Sequence, residues 1–232
     1  GAPVMLSAED LTALWVTLQL AAVSTVLLLL LATPLAWWLS QTAVRGRVLV
    51  EALVTLPLVL PPTVLGFYLL LLLGPEGAVG GTLERIGVGH LAFSFSGLVV
   101  GSMVYSLPFV VQPLQNAFAA TGARLFDVAA TLRASPLDRF LTIALPLARR
   151  GYLTAAVLAF AHTLGEFGVI IMLGGNIPGE TRVASIAIYN HVESLDYGAA
   201  HALALTLVVL SLSLLTLVYA VNRRARVVGV PG

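Results

Sequence analysis

The stretch LTALWVTLQLAAVSTVLLLLLATPLAWWL, residues 11–39, contains no charged side chain. About 20 apolar residues in a helix are enough to cross the hydrocarbon core of a bilayer, so this segment predicts a membrane span. It is longer than a bilayer requires, and we expect it to tilt, to bend at Pro34 or to extend into the interface. Glu9 and Asp10 precede it where a secretory signal would be basic, so we expect a span and not a cleaved signal.

The composition of the whole chain agrees with this local pattern. Of its 232 residues, 59% are hydrophobic and 10% are charged, whereas a soluble domain has about 25% charged residues. So few charges cannot cover a surface that faces water. We therefore predict an all-α, polytopic membrane protein that forms one domain over residues 1–232. The five predicted spans are residues 11–39, 48–73, 93–114, 153–173 and 199–221, and the longest connection is 115–152.

The basic residues are distributed unequally between the two sides of this predicted bundle. All 12 are arginine; ten follow the first, third or fifth span, and only Arg85 and Arg182 lie on the other side. Because cytoplasmic loops are enriched in basic residues, we predict that the N-terminus lies outside and the C-terminus lies in the cytoplasm. The expected location is the cell inner (plasma) membrane.

Residue types that the chain lacks exclude several chemistries. Without cysteine there is no disulfide or thiolate metal site, and the four histidines show no ligand spacing, so no metal site is predicted. Without lysine the chain cannot carry the phosphate loop of an ATPase. If the protein uses ATP, another subunit must hydrolyse it, and no cluster of catalytic residues suggests an enzyme. The net charge of +1 gives no indication of nucleic-acid binding.

The long third connection contains a charged segment that predicts two short helices between an entry at Thr121-Gly122 and an end at Pro146. We call this segment, residues 123–146, the elbow. Its first helix has Leu125, Val128, Ala129 and Leu132 at i, i+3, i+4 and i+7. This spacing predicts one apolar stripe that is too short to span a membrane. The stripe is expected to be buried against the chain's own bundle or in a partner's groove, and the alternative is an interfacial helix that lies on lipid headgroups.

The second helix of the elbow has a sequence signature for its start. Ser135 is expected to be the N-cap, with Pro136 at the first helical position and Asp138 three residues past the cap. Pro146 is expected to end this helix or to bend it into the fourth span.

The elbow sequence DVAATLRASPLDRFLTIALPLARRG, residues 127–151, resembles the "EAA" loop of importer-type ABC permeases, whose pattern is E-A-A-x-x-x-G followed by I-x-L-P. Here an aspartate replaces the glutamate, a valine replaces the first alanine, and Arg133 replaces the glycine. The resemblance implies a coupling helix that docks in a cleft of a cytoplasmic ATPase subunit. The residues implied in docking are Arg124, Asp127, Val128, Ala129, Ala130, Leu132, Arg133, Ala134, Ser135 and Pro136.

Two further segments extend the resemblance over nearly the whole chain. TLPLVLPPTVLGFYLLLLLG, residues 55–74, and LGEFGVIIMLGGNIPGETRVASIAIY, residues 164–189, resemble the corresponding regions of molybdate/tungstate permeases. Sulfate permeases share the G-E-[FY]-G and G-N-I-P core, whereas the continuation over residues 178–182 is closer to the molybdate branch. The implied function is passage of a tetrahedral oxyanion by alternating access, with molybdate or tungstate first and sulfate or thiosulfate as the alternative.

The same resemblance implies the partners of the chain. They are a second identical copy, two cytoplasmic ATPase subunits that bind ATP and magnesium, and a periplasmic or surface-tethered oxyanion-binding protein. No cofactor is expected on this chain itself.

Glu166 lies late in the fourth predicted span, where a carboxylate is costly unless it faces water, a partner or the bundle interior. It is a candidate pathway or gate residue, and an interfacial position is the alternative. From a different class of protein, an ion-coupled secondary transporter using Glu166 is the rival hypothesis. We found no second acid or base within a span to exchange a proton with it, which argues against that rival.

The prolines of the second span and the glycines beside Glu166 complete the candidate pathway. Freed backbone groups are tolerated in a membrane only where they are buried or line water, so this span is a pore-wall candidate, with a harmless kink as the alternative. The predicted pathway or gate residues are Pro61, Pro62, Thr63, Gly165, Glu166 and Gly168. No arginine lies deep within a predicted span, so we expect tight anion selection to occur on another protein.

On the outer side, four polar residues follow the fourth span and are candidates for docking the binding protein. They are Asn176, Glu180, Thr181 and Arg182. The alternative is an ordinary solvated loop.

Overall fold

The computed structural model describes residues 6–227, without the side chains of residues 123, 124, 127, 130, 218, 219 and 221–227. The described part contains no β-strand, and the predicted all-α class is confirmed. Its helices are α1 Ala8–Gln41, α2 Arg47–Val59, α3 Pro62–Leu73, α4 Gly80–Arg85, α5 Phe95–Ala120, α6 Ala123–Thr131, α7 Pro136–Arg139, α8 Leu145–Leu147, α9 Arg149–Leu164, α10 Gly168–Gly174, α11 Ala184–Glu193 and α12 Tyr197–Val227. A π-helical turn, Phe140–Ala144, joins α7 to α8.

Within the described range, three helices are long and apolar enough to cross a membrane: α1, α5 and the Tyr197–Leu217 part of α12. Two bent pairs raise the number to five if each pair is one span. The first pair is α2 with α3, and the second runs from Pro136 to Leu164 with a bend of 69°. The second pair begins inside the elbow, which the sequence predicts as a cytoplasmic connection.

Helix α5 lies at the centre of the bundle and packs against α1, α2, α3, α9 and α10. Its buried side chains include Val110, Leu114 and Phe118, which join residues of α1 and α9 in the largest apolar cluster. Gly101 allows α10 to approach closely, because a Cβ there would lie 2.8 Å from Cδ2 of Leu173. The central helix therefore contacts every element that carries a candidate pathway residue.

The α2–α3 pair is broken by the Pro61–Pro62 dipeptide and bends by 114°. A residue before proline is driven out of the helical region, and Leu60 and Pro61 have ψ of 138° and 135°. Pro62 then occupies the start of α3, where its missing N–H is not needed. Pro57, the third proline of the predicted second span, lies inside α2 without ending it.

The predicted fourth span, residues 153–173, is not one helix. Helix α9 ends at Leu164 and α10 starts at Gly168, so residues 165–167 separate them. Phe167 has φ −127° and ψ −57°, outside the helical range. Glu166 thus lies in a break between two helices and not on a helix face.

Candidate functional site

The two broken helices meet at the predicted gate residues. A Cβ on Gly168 would lie 2.7 Å from Cβ of Pro62 and 3.4 Å from the backbone nitrogen of Thr63. One turn further, a Cβ on Gly66 would lie 2.8 Å from Cβ of Met172. Only glycine leaves room for this contact between α3 and α10. The structure therefore brings Pro62, Thr63 and Gly168 together, as a pathway built from both breaks requires.

Glu166 lies in the bundle interior, with 4% of its surface exposed. The Ser102 hydroxyl of α5 donates to its Oε2 at 2.7 Å, and the Ser185 hydroxyl of α11 donates to its backbone carbonyl at 2.6 Å. The other carboxyl oxygen, Oε1, is buried without a hydrogen-bond partner among the described residues. Glu166 thus connects the α9–α10 break to two other helices.

A second polar group lies one helical turn from Glu166, toward the elbow. Oγ of Ser106 is 2.9 Å from Nδ1 of His162 and 3.4 Å from Oγ1 of Thr163. The imidazole also contacts the rings of Tyr105 and Phe109, with centroid distances of 4.5 and 4.3 Å. Our statement that no second acid or base lies within a span was wrong, because His162 is such a group.

Sequence reasoning missed Ser102, Ser106, His162 and Ser185. A signal existed, since Ser102 and Ser106 are four residues apart and so are His162 and Glu166. Residues at i and i+4 share a helix face, and two such pairs on neighbouring helices can pair with each other. Serine is too common in membrane helices for this spacing to stand out without the packing.

On the predicted outer side, Arg182 fastens the loop after α10 to the start of α1. Its Nε donates to Oδ1 of Asn176 at 2.6 Å, and one terminal nitrogen donates to the Glu9 carboxylate at 3.0 Å. The Asn176 amide donates in turn to Oδ1 of Asn190 at 3.1 Å. Asn176 and Glu180 are exposed, so this face remains available to a partner.

Thr181 does not fit the docking role that the sequence suggested. Its surface is 0% exposed. Its hydroxyl donates to the Gly174 carbonyl at 2.7 Å and accepts from the Ile177 N–H at 3.1 Å. These bonds hold the turn between α10 and α11, so Thr181 shapes the loop and cannot reach a docked protein.

The cap predicted for the second elbow helix is confirmed. The Ser135 hydroxyl accepts from the Asp138 N–H at 3.1 Å, and the Asp138 carboxylate accepts from the Ser135 N–H at 3.2 Å. Pro136 occupies the first turn. The bend toward α9 occurs at Ala148 and not at Pro146, since α8 continues through Leu147.

The apolar stripe predicted for α6 is divided between two faces. Leu125, Val128 and Leu132 are 48%, 53% and 77% exposed. Ala129 instead lies buried, as does Phe126, which the predicted stripe omitted. Ala129 therefore supports the elbow from within, whereas three large apolar side chains point away from the bundle. The side chains of Arg124, Asp127 and Ala130, also predicted in docking, lie outside the described part.

An aromatic cluster attaches the elbow to the bundle. The Trp37 ring of α1 makes edge contacts with Phe118 of α5, Phe126 of α6 and Phe140 of the π-helical turn, at centroid distances of 5.3, 5.2 and 5.4 Å. Aromatic pairs of this geometry add about 0.5–1.5 kcal/mol each beyond their area burial. The elbow is therefore held by rings around one tryptophan, which connect it to α1 and α5.

Arg133 lies at the position where the resembled pattern has glycine, and the backbone explains that pattern. Its φ is 61°, the left-handed region. The Ala134 N–H donates to the Ala129 carbonyl at 3.1 Å, the hydrogen bond of a Schellman cap, in which glycine is the usual left-handed residue. Arginine here carries a steric cost that glycine would not.

We expect Arg133→Gly to stabilise this cap by about 1 kcal/mol, because glycine has no Cβ to clash in the left-handed region. Hydrogen exchange at the Ala134 amide should slow by about fivefold, the population change that 1 kcal/mol represents. Arg133→Ala is the matched control, since it removes the guanidinium but keeps Cβ. Equal exchange rates in the two variants would contradict a backbone origin.

Residues 29–227 match the family described as binding-protein-dependent transport system inner membrane component. This match covers most of the chain, so the chain belongs to that family. It is a multi-pass inner-membrane transport component and not an enzyme, and the ion-coupled secondary transporter hypothesis is set aside.

Individual relatives agree with the family. The chain is 55% identical over 218 residues to the molybdenum transport system permease protein ModB of Azotobacter vinelandii, covering 94% of this chain and 96% of the relative. It is 32% identical to a probable sulfate transport system permease protein of Nephroselmis olivacea, covering 92% of this chain and 73% of the relative.

A solved structure shares the fold. In the crystal structure of a bacterial alginate ABC transporter in complex with an alginate pentasaccharide-bound periplasmic protein, the matching chain has a TM-score of 0.78 and 22% identity. The match covers 97% of this chain and 82% of that one.

Proposed function

We propose that this chain is the membrane permease of an ATP-driven importer for molybdate or tungstate. The observation that carries the proposal is the 55% identity to a molybdenum permease, which extends over 94% of the chain. The sulfate relative is more distant, at 32% identity. Sulfate and thiosulfate are therefore the second candidates.

The elbow is the proposed contact with the ATPase subunits, which bind ATP and magnesium. Three exposed apolar side chains, two on α6 and Leu132 directly after it, support this role, since an exposed apolar face on a short helix is suited to a groove. The aromatic contacts of Trp37 support transmission, because they connect the elbow to α1 and α5. Movement of the ATPase subunits would thus reach the two central helices.

The pathway is proposed to lie between two identical copies of the chain. A single bundle of three to five spans is a thin wall for a channel, and a two-fold axis supplies the second wall. The contact of Gly168 with Pro62, and the buried carboxyl of Glu166, form the proposed gate. Each passage of an oxyanion would require the break between α2 and α3 and the break between α9 and α10 to move relative to each other.

The outer face, with Asn176, Glu180 and Arg182, is proposed to meet the binding protein. The excess of arginine after the first, third and fifth predicted spans supports an N-terminus outside the cell and a cytoplasmic C-terminus. The permease would alternate between an inward-open and an outward-open form. This alternation would be driven by ATP and by the loaded binding protein, each of which favours one form.

The test is uptake into proteoliposomes that contain the permease, its ATPase subunits and its binding protein. We expect molybdate and tungstate to enter only with ATP, and sulfate to compete weakly. Omitting the ATPase is the control. Uptake that persists without ATPase would reject the proposal of an ATP-driven importer. Faster uptake of sulfate than of molybdate would make sulfate the substrate in place of molybdate.

A further inference from the structure

The imidazole of His162 has one edge toward the bundle interior and one edge open. Nδ1 lies 2.9 Å from Oγ of Ser106, a residue that is 1% exposed. The rings of Tyr105 and Phe109 contact the imidazole and hold its plane. His162 itself is half-buried, and its Nε2 makes no hydrogen bond with the described residues and is not enclosed by them. The ring therefore presents Nε2 to the space outside the bundle.

The hydrogen bond with Ser106 makes Nε2 a donor. The buried Ser106 hydroxyl has two acceptors within reach, Nδ1 of His162 at 2.9 Å and Oγ1 of Thr163 at 3.4 Å. A buried hydroxyl uses its proton in a hydrogen bond, and the bond to Nδ1 is the shorter one. When one ring nitrogen of an imidazole accepts, the other carries the N–H. The open edge of His162 is thus an N–H donor.

The position of this donor along the bundle follows from its partner helix. Ser106 is 11 residues from the start and 14 residues from the end of α5, Phe95–Ala120. Helix α5 is one of the described helices that are long and apolar enough to cross a membrane. His162 therefore lies near the middle of a membrane-crossing helix, where hydrocarbon offers no hydrogen-bond partner.

The face that carries His162 also carries the break between α9 and α10. Leu158, His162 and Gly165 are spaced at i, i+4 and i+7, the spacing of one helix face. Leu158 and Gly165 are exposed, and the Gly165 carbonyl accepts no hydrogen bond from the described residues. A free carbonyl and a free imidazole N–H on one face are costly against lipid tails, so this face is expected to line water.

The carboxyl group at the same break is turned away from this face. Glu166 is 4% exposed, and its Oε2 accepts from the Ser102 hydroxyl in the interior. An anion that reaches the break on the open side therefore meets the N–H of His162 and not the carboxyl of Glu166. This arrangement favours an oxyanion, because an oxyanion accepts hydrogen bonds and is repelled by a carboxylate.

We propose that Nε2–H of His162 is a contact for the tetrahedral oxyanion as it passes the break between α9 and α10. Ser106 orients this donor from the interior. The inference rests on the proposed function, since it assigns a residue of the gate to the same cargo. A single N–H donor holds an anion weakly, so the anion is not retained in the permease.

The chain has no cysteine, so His162→Cys places one reporter thiol at this position. The variant is purified with cysteine-free ATPase subunits in phosphatidylcholine nanodiscs and treated with a negatively charged methanethiosulfonate, with and without ATP. We expect modification in at least one of the two conditions, because the face lines water. Val26→Cys is the control, since Val26 is 57% exposed within the uncharged stretch of α1. Lipid should cover that thiol and prevent its modification.

Tungstate should slow the modification of His162→Cys by occupying the same place. The expected slowing is about threefold when tungstate reaches twice its dissociation constant. Chloride at equal ionic strength should have no effect. A thiol at position 162 that is as unreactive as the one at position 26 would overturn the proposal. So would modification that tungstate does not slow.

Two substitutions separate a contact with the anion from packing. His162→Phe keeps a ring against Tyr105 and Phe109 but has no N–H, and we expect molybdate uptake to fall about tenfold. His162→Gln supplies an amide N–H and should retain at least about a third of the wild-type rate. The unfolding temperature of both variants is measured, because a packing role would favour His162→Phe. Uptake in His162→Phe equal to or above that of His162→Gln would contradict the contact. Where a variant fails to assemble, the thiol measurement decides.

Uptake by the wild-type importer is measured in parallel, so that the two proposals can fail separately. Normal wild-type uptake of molybdate without any effect of His162→Phe overturns the contact and leaves the proposed function intact. Absent wild-type uptake with a working ATPase overturns the proposed function itself.

Discussion

Leu132→Asp is expected to lower ATP-driven uptake by about tenfold or more. Leu132 is 77% exposed at the end of α6, so the change should leave the fold of the permease intact. Burying a leucine in a partner's groove contributes about 1.5–3 kcal/mol, and each 1.4 kcal/mol is about tenfold in affinity. An aspartate there loses this contribution and adds a desolvation cost. The measurement is initial uptake in proteoliposomes, together with the amount of ATPase that co-purifies.

Two controls separate docking from general damage. Val44→Asp makes the same chemical change at an exposed valine in the connection between α1 and α2, and uptake should stay near the wild-type rate. Leu132→Met keeps an apolar side chain of similar volume and should retain function. Wild-type uptake in Leu132→Asp, or equal losses in the Leu132 and Val44 aspartate variants, would count against the elbow as the docking element.

Glu166→Ala is expected to reduce uptake by about tenfold, with an accompanying loss of stability. The change deletes a buried side chain and leaves the Ser102 hydroxyl without its partner at 2.7 Å. An unsatisfied buried hydroxyl costs about 1–3 kcal/mol, and the space left by the side chain adds to that cost. Glu166→Gln should retain most of the uptake, because its amide oxygen can accept from Ser102. Uptake and thermal unfolding of the purified complex provide the measurements.

Ser102→Ala distinguishes a structural hydrogen bond from a titrating carboxyl. If the bond to Ser102 is the contribution of Glu166 to the gate, Ser102→Ala and Glu166→Ala should each impair uptake, and the double variant should be no worse than the poorer single one. Should Glu166→Gln prove as defective as Glu166→Ala while Ser102→Ala is normal, the role would belong to the ionisable group, and the gate proposal would need a proton.

Local features were predictable because their causes lie within a few residues. The Ser135–Asp138 cap needs only a serine, a proline and an acid at fixed spacing, and it formed as expected. The break at Pro61–Pro62 follows from the ring of proline and the restriction on the residue before it. The left-handed residue at the end of α6 was visible only as a departure from a glycine pattern, since arginine gives no signal of positive φ.

Features that depend on packing were missed or misassigned. The partner of Glu166 is Ser102, 64 residues away in sequence. Ala129 was assigned to the docking stripe and Phe126 was omitted, because helical spacing gives the angle between residues but not the direction in which the bundle lies. Thr181 was assigned to an exposed surface, although its hydrogen bonds within the loop bury it.

The sequence by itself determined that this protein is an all-helical membrane protein, that the elbow lies on the arginine-rich side, and that it lacks the residues to hydrolyse ATP. These follow from composition and short-range spacing, since hydropathy and charge act residue by residue. Only the tertiary structure decided that Gly168 meets Pro62, that Glu166 is buried against Ser102, and that three leucine and valine side chains at α6 and directly after it face outward. The two contacts join segments far apart in sequence, and the direction of the side chains depends on where the bundle lies. Both depend on how the helices pack, which periodicity does not encode.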